Sequence, residues 1–272
     1  MIIHQKDPVL AQALAEAGYT DILGEDGLVR DGKAEGMMTA MLLAMDVKKG
    51  YIGFVDADNY FPGAVWEYVR CFASGFSMAK SPYAMVRILW RYKPKVSAGM
   101  YFKKWGRVSE ITNRCMNSLI STKTGFETDI IKTSNAGEHA MNLRLAEILP
   151  YASHYAVEPQ ELVSIFEGFG GVLPIAHQTA AKHGIEVFQI QTGNPHLHEE
   201  KGGPHLEGML SSSLGTIYHS PLCEEETKQV ILDELLQQKS IKPGQEPPKS
   251  LMSAPPRTID LPKFTKVMEE NM

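Results

Sequence analysis

Apolar positions recur along the chain at two spacings, and the spacing changes from segment to segment. Ile2 and Ile3 predict a short opening strand. Asp7-Pro8 reads as a helix N-cap followed by a first-turn proline; the helix runs from Val9 to Ala17 and Gly18 ends it. Residues 24–32, rich in Gly and Asp, read as a loop. Lys33 to Lys48 forms a Met/Leu/Ala-rich helix that stops at Gly50. The run 51–55 is apolar, short and bounded by turn residues, which predicts a buried parallel strand and a β-α-β unit. A helix over 63–75 follows, with Val65, Tyr68, Val69 and Phe72 at a 3.6-residue period.

Further on, Tyr83 to Tyr92 predicts a long strand. Trp105 to Ile120 and Gly137 to Leu149 predict helices, the second closed by Pro150. Pro159 opens another helix to about Phe169, Ile185 to Gln191 alternates as a strand, and two helices fit about 205–218 and 224–239. Residues 240–262 are proline-rich and predict a poorly ordered or wrapping tail. The mixed order of strands and helices predicts an α/β fold, a sheet flanked by helices.

Composition narrows this little. The chain has 272 residues, 43% of them hydrophobic, enough for one large α/β domain with an extension. No apolar run approaches the roughly 18 residues of a membrane helix. The first residues lack the basic and apolar stretches of a secretory signal. Cys71, Cys115 and Cys223 are odd in number and without metal-type spacing, so reduced thiols in a cytoplasmic protein are expected. A net charge of −5 argues against general nucleic-acid binding, and no membrane partner is expected.

Four segments could carry chemistry. The apolar run at 51–55 ends in Asp56 and Asp58, separated by Ala57. Carboxyl ends of strands are where open α/β sheets place ligands, and two hard oxygen donors there can hold a divalent cation over an anionic substrate. The plain alternative is a strand running into an acidic turn. Residues 194–202 carry His196 and His198 after the predicted strand 185–191; one of them could complete a site begun by the two Asp residues, or the segment is a solvated loop. Arg87, Arg91, Lys93, Lys95, Lys103, Lys104 and Arg107 lie among Trp and Tyr with no Asp or Glu between them. They could grip a phosphate or carboxylate, or form a hairpin with Lys outward and aromatics inward. Ser134 to His139 reads as a helix start whose free amides could bind an anion, or as an ordinary cap. Gly32-Lys33 begins a helix in the same manner, and Lys33 could contact a diphosphate.

Taken together and in order, these stretches resemble the mannosyl-3-phosphoglycerate synthase family of retaining, nucleotide-sugar-dependent glycosyltransferases. The matching segments are 32–37, 53–60, 101–113, 135–141, 194–199 and 216–220. The resemblance implies a GT-A-like, Rossmann-like mixed sheet. Its parts would be a glycosyltransferase domain over 1–239 (nucleotide-binding half 1–60, acceptor and metal part 61–239) and a tail with a short helix over 240–272. It implies transfer of mannose from GDP-mannose to the 2-hydroxyl of 3-phosphoglycerate with retained configuration. The divalent metal would be Mg2+ first, with Mn2+, Co2+ or Zn2+ as alternatives, and copies would pair as homodimers. Carried over residue by residue, the metal ligands are Asp56, Asp58 and His198, in preference to His196. The donor residues are Gly32, Lys33, Asp56, Ala57 and Asp58. The acceptor residues are Arg107, Asn135, Ala136, Gly137, Glu138 and His139. Asp56, Asp58 and Glu138 form the catalytic set, with Glu138 at the acceptor site rather than as a nucleophile. Family members carry roughly a hundred residues before the segment matching Ile2, so the resemblance also implies an incomplete nucleotide-binding half with an open sheet edge.

Two readings compete. A haloacid-dehalogenase-type phosphatase also places Asp-x-Asp after an apolar strand, but Asn59-Tyr60 stand where that family has Thr or Val. An inactive chain that only binds phosphoglycerate or a partner is the non-enzyme reading. Within the transferases, a glucosyl-specific relative is the further option.

Overall fold

The computed structural model describes residues 3–59, 62–97, 100–104, 106–125, 128–197 and 203–271. Helix α1 (Pro8–Glu16) starts as expected, with the Asp7 carboxylate accepting the Val9 amide at 2.8 Å. Helix α2 (Lys33–Asp46) leads to strand β1 (Tyr51–Phe54). Helix α3 (Ala64–Met78) leads to β2 (Ala84–Leu89). The basic stretch forms a hairpin of β3 (Lys93–Ser97) and β4 (Met100–Lys104), and α4 (Arg107–Thr124) follows.

Strand β5 (His139–Asn142) runs into the one-turn helix α5 (Leu143–Ala146). Then come β6 (Tyr151–Ala152), α6 (Val157–Phe169), α7 (Gln178–His183) and β7 (Glu186–Gln191). The chain closes with α8 (Gly203–Tyr218), α9 (Glu225–Gln237), β8 (Met252–Ser253) and α10 (Leu261–Asn271).

The main sheet has the order β1-β5-β2-β7. Strand β5 is antiparallel to both of its neighbours, and β2 is parallel to β7. Alternation along β2 divides the core. Val86 and Ile88 face α3, packing with Tyr68 and Phe72. Met85 faces the other way, into a cluster with Met38 and Met41 of α2, Leu10 and Leu14 of α1, and Phe264 of α10. A further apolar cluster joins α4, α6, α8 and α9 through residues such as Met116, Leu162, Leu214 and Ile231.

Three expectations are corrected. Ile3 is not in a strand, and Ile2 lies outside the described residues. Residues 51–54 form an edge strand rather than a buried parallel one: β1 pairs antiparallel with β5, and Tyr51 is 60% exposed. The segment from Gly137 is not a helix. Its Ala, Glu, Met and Leu residues favour one, but β1 and β2 offer ladders on both sides of 139–142, and tertiary pairing overrides the weak local preference. An anion site at a helix start there is therefore not what the chain builds.

The proline-rich tail wraps. Ser253 and Met252 pair with Tyr151 and Ala152, Glu246 accepts from Tyr218 at 3.0 Å, and Phe264, Val267 and Met268 of α10 are buried. The cysteines are free thiols, Cys115 and Cys223 buried. Among the described residues no helix is long and apolar enough to cross a membrane.

Candidate active site

A cleft of about 500 Å³ opens beside the end of β1. Asp56 and Asp58, on the turn after that strand, line it. The Asn59 amide donates back to the Asp56 carbonyl at 3.4 Å, and the Asn59 side chain bonds the Tyr68 hydroxyl, so the turn is tied to α3. Opposite it, Gly32 caps α2 and the next residue, Lys33, reaches into the cleft. Its Nζ lies 2.6 Å from Asp56 Oδ1 and 2.6 Å from Glu158 Oε1. Burial works against the Lys33 charge, but the Glu158 and then the Asp56 carboxylates more than offset it and hold its pKa above the ordinary value.

The loop before β5 closes this corner. Gly137 packs directly on the Asp56–Lys33 pair: a methyl there would overlap Asp56 Oδ2 and stand 2.9 Å from Lys33 Nζ. Asn135 lines the cleft and donates to Ser213 Oγ of α8 at 2.8 Å. Glu138 lies behind the wall with no exposed surface, 3.5 Å from His196 Nε2. Burial, reinforced by the Asp56 charge and partly opposed by Lys33, pushes its carboxyl up to about 8. His196 is buried, lines the cleft and packs on Trp90 with ring centroids 4.3 Å apart. Lys93 Nζ sits 4.8 Å from the same Trp90 ring.

Gly106, Arg107, Val108 and Ser109 bring the start of α4 to the same cleft. Its N-cap is Gly106, which has no side chain to cap with, so its first amides and the Arg107 guanidinium can meet an anion. Helix α8 supplies the facing wall through His205, Leu206, Glu207, Met209 and Leu210.

The cleft thus gathers Lys33, Asp56, Asp58, Arg107, Asn135 and Gly137. Ala57 is exposed and Gly32 serves as the cap of α2; neither lines the cleft. Ala136 and His139 are buried behind it. The His139 ring is engaged by Glu161 Oε1 at 3.0 Å and by the Ala136 carbonyl at 2.9 Å, so it does not face an acceptor. Arg87, counted above with the basic stretch, is likewise fully buried. His198 lies outside the described residues, although its segment enters the cleft wall through His196. Sequence reasoning missed Glu158 and the α8 wall. Glu158 precedes a proline in a helix's first turn, where an acidic residue is ordinary, and no spacing ties it to Lys33.

The donor set suits a divalent ion. Mg2+-like cations take one or two protein carboxylates and fill the rest of their shell with water and substrate phosphates. Asp56 and Asp58, close together on one turn and both on the cleft, meet that need. Among the described residues no group of three His, Cys, Asp or Glu side chains gathers around an ion site.

Comparison with known proteins places this geometry in context. A family described as mannosyl-3-phosphoglycerate synthase (osmo_MPGsynth) matches residues 1–268. The mannosyl-3-phosphoglycerate synthase of Pyrococcus furiosus is 51% identical over 273 residues, covering 100% of this chain and 69% of the relative. That of Aeropyrum pernix is 41% identical over 271 residues, covering 99% of this chain and 69% of the relative. Among solved structures, the glucosyl-3-phosphoglycerate synthase of Mycobacterium tuberculosis with Mn2+, UDP and phosphoglyceric acid superposes with a TM-score of 0.51 at 18% identity, covering 91% of this chain and 70% of that one. The same enzyme with Mn2+, UDP-glucose and glycerol 3-phosphate gives a TM-score of 0.51, again at 18% identity, over 91% of this chain and 69% of the other. At that identity these structures establish the shared GT-A-like fold.

Proposed function

Because the chain belongs to the mannosyl-3-phosphoglycerate synthase family, a family of glycosyltransferases, we propose that it transfers mannose from GDP-mannose to the 2-hydroxyl of 3-phosphoglycerate with retained anomeric configuration. The observation that carries the reading is the shared cleft, lined by Asp56, Asp58 and Lys33 together with Arg107 and the start of α4. The first group suits a nucleotide diphosphate, the second an acceptor bearing phosphate and carboxylate.

Asp56 and Asp58 would hold the divalent ion, Mg2+ or Mn2+ by their all-oxygen character; imidazole from His198 would extend the choice to Co2+ or Zn2+. When bound, such an ion stabilises the charge that develops on a departing diphosphate. Lys33 adds a fixed positive charge at the same corner, and Glu158 keeps it ionised and aimed. Gly137 acts as the spacer that lets Lys33 and Asp56 close together. Arg107, with the Gly106 and Ser109 region and Asn135, receives the acceptor.

Glu138, enclosed behind the wall, is not placed as the nucleophile of a double displacement, and the route proposed is front-face substitution. In that route the C1–O bond to the diphosphate breaks, the acceptor oxygen bonds C1 on the same face, and the departing phosphate takes the acceptor's proton. Glu138 instead shapes the wall, its carboxyl held above the ordinary range by burial.

The test is to incubate the protein with GDP-mannose, 3-phosphoglycerate and Mg2+ and follow the products by phosphorus and proton NMR. Formation of GDP and an α-configured mannosyl conjugate is expected. Release of inorganic phosphate would favour the phosphatase reading, and binding without turnover would favour the non-enzyme one.

A further inference from the structure

One layer beneath the cleft lies a buried ionic cluster that touches no cleft surface. Arg87 of β2 and His139 of β5 are direct cross-strand partners on the face away from α3. Both are fully buried, and so is Glu161 of α6, which binds both: Oε2 accepts from Arg87 Nη1 at 2.7 Å and Oε1 lies 3.0 Å from His139 Nε2. Arg87 Nη1 also meets Met85 Sδ at 3.4 Å, and the other bonds go to backbone carbonyls. Arg87 Nε donates to Thr133 at 3.0 Å; Nη2 donates to Ser134 at 3.2 Å and to Glu158 at 2.9 Å. His139 Nδ1 meets the Ala136 carbonyl at 2.9 Å.

Those carbonyls belong to two segments only. Residues 133, 134 and 136 form the loop whose other side presents Asn135 and Gly137 to the cleft. Residue 158 opens α6, and its side chain is the one that holds Lys33. The cluster therefore fixes the backbone spacing between Gly137 and Glu158, and Lys33 and Asp56 sit in that space. Stability alone gives little reason for such a cluster, because well-packed apolar residues of similar volume commonly replace buried ion pairs without loss. The planar Arg fork does what an apolar group cannot: it ties three carbonyls and a carboxylate in one fixed geometry.

We propose that Arg87, Glu161 and His139 are positioning residues for the transfer, setting the loop 133–137 and the first turn of α6 at the register that shapes the Lys33–Asp56 corner of the cleft. This rests on the transferase reading and extends it to groups that never touch substrate. It predicts an uneven defect, larger for the donor than for the acceptor. Arg87, Glu161 and His139 make no hydrogen bond to α4 itself and reach it only through the loop, where the Ser134 amide donates to Asn113 Oδ1 at 2.9 Å, so the acceptor subsite should be disturbed less than the Lys33–Asp56 corner.

The experiment compares wild type with the double variant Arg87→Met/Glu161→Gln, which removes both charges and leaves none orphaned. The variant should fold with a lowered melting temperature, because the Thr133, Ser134 and Glu158 carbonyls lose their donor. Its kcat should fall about tenfold or more and its KM for GDP-mannose rise about fivefold, as sub-ångström misplacement does. Its KM for 3-phosphoglycerate should stay within about twofold. Amide exchange across 133–137 should accelerate about tenfold while that of α1 and α10 stays unchanged. Wild-type kcat, both wild-type KM values and wild-type exchange in a folded double variant would overturn the proposal. An equal rise in both KM values would overturn it too.

If the double variant does not fold, Arg87→Lys keeps the charge and loses the fork. It should show the same split in smaller degree, and wild-type KM values for it would refute the idea. Wild-type protein run alongside separates the two levels. Failure of wild type to make product speaks against the transferase reading, and the exchange measurement then still decides the role of the cluster.

Discussion

A Cβ on Gly137 would overlap Asp56 Oδ2 and stand 2.9 Å from Lys33 Nζ, so those two side chains would have to move aside. Gly137→Ala should therefore separate that ion pair and lower kcat/KM about a hundredfold, with the circular dichroism spectrum unchanged. A near-normal kcat/KM would mean that the corner is not where the donor sits. Glu138 makes a different prediction. Folding raises its carboxyl from 4.5 to about 8, so the folded state keeps a proton that the unfolded chain releases. Stability should fall as pH rises from about 4.5 to about 8 and level off above, because the unfolded state binds fewer protons across that window. Glu138→Gln should flatten this part of the profile, which melting curves at successive pH values will show. At this scale the two Asp residues were legible from sequence, because an apolar run that ends in paired carboxylates is a local pattern. Glu158, Arg87 and Glu161 were not: their partners lie 125, 74 and 22 residues away, and each looks locally like an ordinary charged residue.

Among the elements, those with strong local signals formed where expected. Helix α1 has its Asp7 cap and Pro8, and α2, α3, α6 and α9 have their apolar periods. Strand β5 was misread because its residues favour a helix and only the neighbouring strands make it extended. The tail was half legible: its prolines exclude long helices or strands, but its partners cannot be read from them. Those partners are now testable. Gly215 of α8 lies under the Pro248 carbonyl, and a methyl there would overlap it. Gly215→Ala should lift the tail from α8 and make residues 240–250 sensitive to protease; wild-type resistance would show that the tail adjusts. Phe264 of α10 is fully buried against the α1 and α2 cluster, so Phe264→Ala should cost about 3–5 kcal/mol in denaturant unfolding. A cost below about 1 kcal/mol would mean that α10 is dispensable to the core.

For the molecule as a whole, the fold does one thing: it carries segments far apart in sequence to a single cleft. The turn after β1, the start of α2, the loop before β5, the start of α4, the segment after β7 and one face of α8 all meet there. The net charge of −5 says nothing of this, because the cationic groups that matter, Lys33 and Arg107, are placed locally. The most direct test of the account is the initial rate of mannose transfer from GDP-mannose to 3-phosphoglycerate in saturating Mg2+, for wild type and Asp58→Ala side by side. Asp58 is the residue to change because Asp56 also anchors Lys33. The account predicts a rate lowered about 10²–10³-fold in a variant that melts like wild type. An undiminished rate would contradict it.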